Sequence, residues 1–329
     1  MKIKTDEEVK DLPAVWMEEK KIKMIDQRYL PEKLRFFTAE DYKEVYTSIK
    51  EMVVRGAPAI GVTAAFGVAQ AEIQDVDTEK AAEHIKKARP TAYDLFYAVD
   101  HMLQHLEKPR KAAKQYSDEV IKKCRKIGEH GNELIKDGMS ILTHCNAGAL
   151  ATVDFGTALS PMRIANKNDK DIHVFVDETR PRLQGAKLTA WELLNEDIDH
   201  SVIVDNASGH FMQRGKIDMV IVGTDRIVRN GDIANKIGTY EKAVVADEND
   251  IPFYVAAPVT TYDESIQDGM EIPIEEREEK EIREIDGSQI TPEGSPVKNP
   301  SFDVTPSKYI DGYITEKGVF STKELNEMF

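Results

Sequence analysis

The chain has 329 residues, 41% hydrophobic and 31% charged, which supplies a sizeable core and excludes global disorder. At about 150 residues per domain, that length predicts two domains. Lys and Arg total 44 against 59 Asp and Glu, a formal charge of −15, so general binding of nucleic acid or an anionic membrane is excluded. Any anionic substrate must be held by a local basic site.

Residues 14–18 and 21–26 read as two short strands around a tight turn. Over 42–54, Tyr42, Val45, Tyr46, Ile49, Met52 and Val53 repeat at helical spacing and predict an amphipathic helix. RGAP at 55–58 breaks it. Pro58 suits the first position of a second helix, 58–73, which is apolar nearly all round and therefore predicted buried. Helical patterns continue over 78–88, 91–107 and 110–136, with Pro90 and Pro109 as breaks.

From about residue 138 the pattern changes. Short apolar runs at 140–145, 173–179, 201–205, 218–224 and 252–258 alternate with helical stretches. Such runs fit strands of a parallel sheet covered by helices, and segments such as 183–196 are long enough to be crossover helices. The predicted fold class is therefore α/β, with domains over 1–125 and 126–329. The run EEREEKEIRE at 275–284 reads as a solvated helix face or loop.

Cys124 and Cys145 are too few for a disulfide framework and read as reduced thiols. The first thirty residues are charged throughout and contain no signal-like apolar core. The apolar run after Arg55, PAIGVTAAFGVAQA, is too short to span a bilayer. A soluble cytoplasmic protein is expected.

Ligands of open α/β sheets bind just beyond the carboxyl ends of the strands. The residues there form a dense polar set: Cys145 and Asn146; Asp177, Glu178, Thr179 and Arg180, leading to Gln184; Asp205, Asn206 and Ser208; Thr224, Asp225 and Arg226. A free cysteine is often a small buried hydrophobe, but Cys145 at a strand end before Asn-Ala-Gly is also a candidate catalytic thiol. His144 is not expected to pair with it, because strand neighbours point to opposite faces. Cys124, within VIKKCRKI, reads as structural. Asp225 is either a surface partner of Arg226 or a partly desolvated general acid.

Arg55-Gly56-Ala57-Pro58 at a helix start offers backbone N–H groups, a close approach at Gly56 and a bidentate cation to a phosphate. Arg89-Pro90-Thr91 is a second arginine beside a helix start, and Asn235-Lys236 follows a GDIA loop. No GxxxxGK[ST] occurs and no GxGxxG follows a predicted strand, so nothing supports ATP or NAD. His101 and His105 are four apart but lack an HExxH context, and no metal site is expected.

Taken together, VVRGAPAIGVTAAFGVA, ARPTAYDLFYAVDHM, ILTHCNAGALAT, DETRPRLQGAKLTAWEL, VIVGTDRIVRNGDIANKIGT and PFYVAAP, with a closing NPSFDVTP, resemble the methylthioribose-1-phosphate isomerase family. Its superfamily includes ribose-1,5-bisphosphate isomerase and the regulatory subunits of a translation-initiation exchange factor. The resemblance covers about residues 15–320. It implies a small, mostly helical N-terminal domain with a short β-meander, then a Rossmann-like parallel-sheet domain without a dinucleotide. It also implies a homodimer, a small-molecule sugar phosphate as partner, and no cofactor or metal.

By motif, Cys145 and Asp225 would be catalytic. Arg55, Gly56, Ala57, Arg89, Gln184, Asn235 and Lys236 would bind substrate. The implied reaction opens a furanose 1-phosphate to the 2-ketose 1-phosphate, with Asp225 as acid at the ring oxygen. Cys145 would take the C2 proton or assist a hydride shift from C2 to C1. Two alternatives share the fold: an isomerase of a related sugar 1-phosphate with another C5 substituent, such as ribose 1,5-bisphosphate or 5-deoxyribose 1-phosphate, and a non-catalytic regulatory subunit. A methylthio group calls for an apolar pocket, and a second phosphate calls for a second basic cluster, for which Arg180 and Arg182 are candidates.

Overall fold

The structure, a computed structural model, describes residues 1–5, 8–90 and 92–328. Thr91 of the Arg89-Pro90-Thr91 motif lies outside the described residues. The chain divides into two compact units, 1–128 with 147–160, and 129–146 with 161–329. The expected boundary near 125 falls within α5 (Pro109–Asn132).

The first unit opens with a hairpin of β1 (Lys2–Lys4) and β2 (Val9–Asp11). A meander follows: β3 (Val15–Glu18), β4 (Lys21–Ile25) and β5 (Phe36–Ala39), all antiparallel. Ile22 and Met24 alternate inward on β4 and are fully buried, the period-two pattern of a half-buried strand. Asp41 caps α1 (Tyr42–Lys50) by accepting from the N–H groups of Lys43 and Glu44, and Val45 and Ile49 face the core.

The centre of this unit is α2 (Ala57–Ile73), buried from Ala59 to Ala71. It packs against α4 (Tyr93–Leu103), α3 (Thr78–Lys86) and the short α6 (Ala149–Thr152), which the chain returns to this unit. Small residues allow the close approach: Gly67 faces Val45 and Ile85, and a side chain there would meet both. Gly56 starts α2 at φ +95°, and any Cβ there would run into Ala151.

The second unit is α/β. Its strands are β6 (Ser140–Thr143), β7 (His173–Asp177), β8 (His200–Ile203), β9 (Met219–Val222), β10 (Arg226–Val228), β11 (Ile233–Lys236), β12 (Phe253–Ala256), β13 (Tyr262–Asp263), β14 (Glu284–Ile285), β15 (Ser288–Gln289), β16 (Phe302–Thr305), β17 (Gly312–Thr315) and β18 (Gly318–Phe320). Its helices are α7 (Leu159–Lys167, entered from the first unit), α8 (Ala190–Asn195), α9 (Ser208–Gln213), α10 (Thr239–Glu248), α11 (Lys280–Arg283) and α12 (Thr322–Met328).

Among the described residues, seven strands form one sheet in the order β18-β17-β12-β9-β6-β7-β8, parallel except for β18. A second sheet orders β13-β10-β11-β16. β9 is buried at every position, as parallel strands covered on both faces must be. From β6 the chain builds outward through β7 and β8. It then returns to β9 on the other side of β6 and builds outward through β12 and β17. Strand order therefore reverses between β6 and β9. Among the described residues, no helix is long and apolar enough to cross a membrane.

Candidate active site

The reversal point sets the geometry. β6 and β9 are neighbouring parallel strands, paired at Ile141↔Met219 and Leu142↔Val220. Cys145 lies just past the end of β6 and Asp225 just past the end of β9, so the thiol and the carboxyl leave adjacent strand tips where such sheets bind ligands.

Cys145 is half-buried and sits at φ +65°, in the left-handed region that non-glycine residues seldom enter. Two threonines hold it there. Its N–H donates to Thr179 Oγ1 at 2.9 Å, and its carbonyl accepts from Thr189 Oγ1 at 2.7 Å. Thr179 and Leu183 are left-handed as well. Both carboxylate oxygens of Asp205 brace the Thr179 loop, accepting the N–H groups of Thr179 and Arg180 at 2.6 Å each. Asn146 is buried and donates to Thr189 and Glu192, tying the segment after Cys145 to the start of the crossover helix.

Gln184 precedes a wide helical turn, Gly185–Thr189, that leads into α8. Gly185 packs so closely on the carbonyl of Asp177 that any Cβ would collide with it. The buried Gln184 Oε1 has no hydrogen-bond partner among the described residues, an acceptor available to a ligand hydroxyl.

Asp225, Asn235 and Lys236 are brought together by the β10–β11 hairpin. The Asp225 N–H donates to the Ala234 carbonyl at 3.0 Å, and Thr224 Oγ1 reaches the carbonyls of both Arg226 and Ala234. Asp225 is exposed, so the partly desolvated carboxyl considered from sequence is not what this turn presents. Arg226 pairs with Asp263 at 3.0 Å.

Lys236 is buried. It donates to the Ser301 carbonyl at 2.8 Å and lies 4.5 Å from the centre of the Phe302 ring. Burial pushes its ammonium below the usual lysine range, and Cys145 and Asp225 act in the other direction. Its strand ties it to both catalytic candidates: Ala234 accepts from the Asp225 N–H, and the Ile237 carbonyl binds the ring of His144, the neighbour of Cys145. The neighbouring Asn235 donates to Thr239 at 3.0 Å.

His144 has no role toward the thiol. Its Nδ1 is 2.9 Å from Asp177 Oδ2 and its Nε2 is 2.9 Å from the Ile237 carbonyl, so both ring nitrogens are engaged. One ligand atom each from His144, Asp177 and Asp205 lie within 4.8 Å of one another, but these atoms brace the loop after β7 and the turn after β11. His101 and His105 are a stacked ring pair, 4.4 Å between centroids.

Arg55, Gly56, Ala57 and Arg89 belong to the first unit, all but Gly56 with half-buried side chains. Gly56 and Ala57 begin α2, whose N-terminus has no side-chain cap. Cys124 is buried, and its carbonyl accepts from Ser160. A surface cavity of about 590 Å³, lined by Lys108, Arg110, Lys111 and Lys114 among others, contains none of the candidate residues.

Sequence reasoning placed Asp177, Thr179, Asp205 and Asn146 on the rim without assigning them work, and it passed over Thr189, Glu192 and Ser301. These are bracing residues. Their signal, hydroxyls and carboxyls near strand ends, is common in any loop.

Comparison with known proteins agrees along the length of the chain. A methylthioribose-1-phosphate isomerase of Acetivibrio thermocellus is 52% identical over 320 residues, covering 91% of this chain and 93% of that one. The crystal structure of 5-methylthioribose 1-phosphate isomerase from Pyrococcus horikoshii superposes with a TM-score of 0.92 at 41% identity, covering 97% of this chain and 96% of that one. The crystal structure of translation initiation factor eIF-2B, subunit delta, from A. fulgidus gives 0.86 at 40%, covering 94% and 96%. The family model described as the Initiation factor 2 subunit family matches residues 53–322, and the chain belongs to that family.

Proposed function

We propose that this protein is an aldose–ketose isomerase that converts 5-methylthioribose 1-phosphate to 5-methylthioribulose 1-phosphate, a step of methionine salvage. The observation that carries the reading is the exit of Cys145 and Asp225 from adjacent parallel strands at the reversal of strand order, with the buried Lys236 between Ala234, which accepts from the Asp225 N–H, and Ile237, which binds the His144 ring beside Cys145. The name of the similar relatives supplies the substrate.

Phosphate on the anomeric oxygen blocks the free aldehyde that sugar isomerases ordinarily use, so the ring must open with the phosphate attached. Asp225, exposed in the free protein, is covered by the bound sugar, a desolvation that favours its protonated form, and it protonates the ring oxygen. Cys145, fixed by Thr179 and Thr189, removes the C2 proton or assists hydride transfer from C2 to C1. Deuterium at C2 separates the routes, being lost to solvent in the first and kept at C1 in the second.

Lys236, Asn235 and Gln184, all in the second unit, contact the substrate; Arg55, Gly56, Ala57 and Arg89 of the first unit are substrate-binding candidates on the family resemblance alone. The uncapped start of α2 suits a phosphate, because its N–H groups and dipole favour an anion. Fixing the phosphate positions C1 and C2, and such positioning lowers barriers by several kcal/mol at least. The reading needs no metal or cofactor.

The protein works as a cytoplasmic homodimer. β8 is an edge strand of the seven-stranded sheet, with Val202, Val204 and the nearby Leu194 exposed, a surface suited to a second copy. Light scattering at twice the chain mass supports this, and a monomer contradicts it.

The second reading is a non-catalytic subunit, favoured by the A. fulgidus structure, whose name is that of a translation factor. The test offers the pure protein 5-methylthioribose 1-phosphate, 5-deoxyribose 1-phosphate and ribose 1,5-bisphosphate, and compares kcat/KM. The highest value for the first supports the proposal. Turnover of none supports the subunit reading.

A further inference from the structure

The loop after β7 carries Arg180 and Arg182, the two arginines considered from sequence for a second phosphate, and the wide turn that follows carries Lys187. The acidic segment around α11, expected from sequence to be solvated, lies against it. Arg182 Nη1 is 2.9 Å from Glu281 Oε1, and Arg180 Nη2 donates to the Ile282 carbonyl at 3.1 Å. Lys187 pairs with Asp286. Asn299 fastens the segment from beneath, donating to the Glu278 carbonyl at 2.9 Å and to Glu281 Oε2 at 3.3 Å, while its N–H donates to Glu276.

Glu281 is the charge at the centre. Its side chain is 17% exposed. Burial works against its ionisation, but Arg182, Arg277 and Asn299 outweigh that and hold the carboxyl below the usual range, so it is ionised at neutral pH. It also acts electrostatically on Lys236, which is coupled to Cys145 and Asp225. Asn299, which holds this carboxylate, stands two residues before Ser301, whose carbonyl accepts from Lys236, so the segment that carries Glu281 is tied to the lysine as well as to the basic loop.

We propose that Glu281 is a specificity-determining residue that neutralises Arg182 and sets a negative charge beside the site, so that a sugar 1-phosphate with a second anionic group at C5 is disfavoured against one with an uncharged substituent. The inference rests on the isomerase reading. Two effects act in the same direction: an arginine already paired offers less to a second phosphate, and an ionised carboxylate repels it.

The test measures KM for 5-methylthioribose 1-phosphate, and KM or competitive Ki for ribose 1,5-bisphosphate, in wild type, Glu281→Gln and Arg182→Gln. Glu281→Gln is expected to tighten the bisphosphate at least tenfold relative to the methylthio substrate. Arg182→Gln, which removes the cation paired with Glu281 and leaves the carboxylate in place with Arg277 and Asn299, is expected to weaken the bisphosphate and to leave the methylthio KM within twofold. A relative change below twofold in folded Glu281→Gln overturns the inference. Should that variant fail to fold, unchanged or tighter bisphosphate binding in Arg182→Gln overturns it. No turnover of the methylthio substrate by wild type overturns the isomerase reading itself, whereas turnover with an unchanged ratio overturns only the role of Glu281.

Discussion

Nδ1 of His144 lies 2.9 Å from Oδ2 of Asp177, with both side chains out of contact with solvent. The Ile237 carbonyl at the other ring nitrogen can only accept, so Nε2 carries a proton. The bond at Nδ1 then needs one more proton, held on the ring or on the carboxyl. Burial pushes the Asp177 carboxyl up, His144 opposes that, and Lys242 Nζ lies 3.7 Å from the same oxygen. The ring joins the tip of β7 to the turn after Lys236, next to Cys145. Asp177→Ala strands a histidine in the interior and leaves the buried Lys242 with Glu241 alone, and the expected loss of stability is about 3–5 kcal/mol, the usual cost of breaking a buried pair. Urea denaturation reads it. A loss below about 1 kcal/mol would show that the pair is dispensable.

Thr179 and Thr189 hold the left-handed Cys145 from either side of its peptide. Thr179→Val and Thr189→Val keep the shape and remove the hydroxyl. Each deletes two bonds worth about 1 kcal/mol apiece, one of them to the Cys145 peptide, and loosens the thiol. The expectation is a fall in kcat of roughly five- to tenfold, with KM little changed. Steady-state kinetics on folded variants check this, and a fall confined to KM would assign the threonines to binding instead.

Lys236 gives the account a pH signature. Burial lowers its proton affinity, while Cys145, Asp225 and Glu281 raise it and Arg277 lowers it further. Its ammonium is therefore lost at a lower pH than in an ordinary lysine. The folded state binds fewer protons at this group than the unfolded chain does, so its contribution to stability rises as pH climbs from the folded value toward the unfolded one. Phosphate binding follows the charge: KM is expected to rise with pH before the ordinary lysine range is reached. Lys236→Gln is expected to have a high KM at every pH and to lose that rise. A rise that persists in Lys236→Gln belongs to another group.

Gly185 tests the wide turn beneath Gln184. A methyl group there meets the Asp177 carbonyl, which is backbone and has little room to yield. Gly185→Ala is expected to cost about 1–3 kcal/mol by overpacking and to lower activity by displacing Gln184 and Thr189. Thermal denaturation with parallel assays reads both. A variant with unchanged midpoint and rate would show that the turn can relax.

Much of this molecule was legible in its sequence. The apolar spacing of Tyr42, Val45 and Ile49 marked α1, and the unbroken apolar face around Phe66 marked α2 as buried. The runs ending near Thr143, Asp177 and Val222 marked parallel strands, so Cys145 and Asp225 stood among the polar residues expected at the rim, and the family resemblance marked them as a pair. What escaped depends on long-range pairing. The hairpin of β1 and β2, the sheet of β13-β10-β11-β16 and the return of 147–160 to the first unit, where the Ala14 N–H donates to the Val153 carbonyl, leave little local pattern. The left-handed backbone at Cys145 and Thr179 belongs to residue types that rarely adopt it. The Arg182–Glu281 bridge joins residues 99 apart in number, and an acidic run alone reads as solvated surface.

The most direct measurement follows 5-methylthioribose 1-phosphate, with the product identified by NMR, in wild type, Cys145→Ser and Asp225→Asn. Wild type is expected to form the 2-ketose 1-phosphate, and each folded variant to lose on the order of a hundredfold or more in rate, the scale of a missing proton-transfer group. A Cys145→Ser or Asp225→Asn protein that turns over at the wild-type rate would contradict the account.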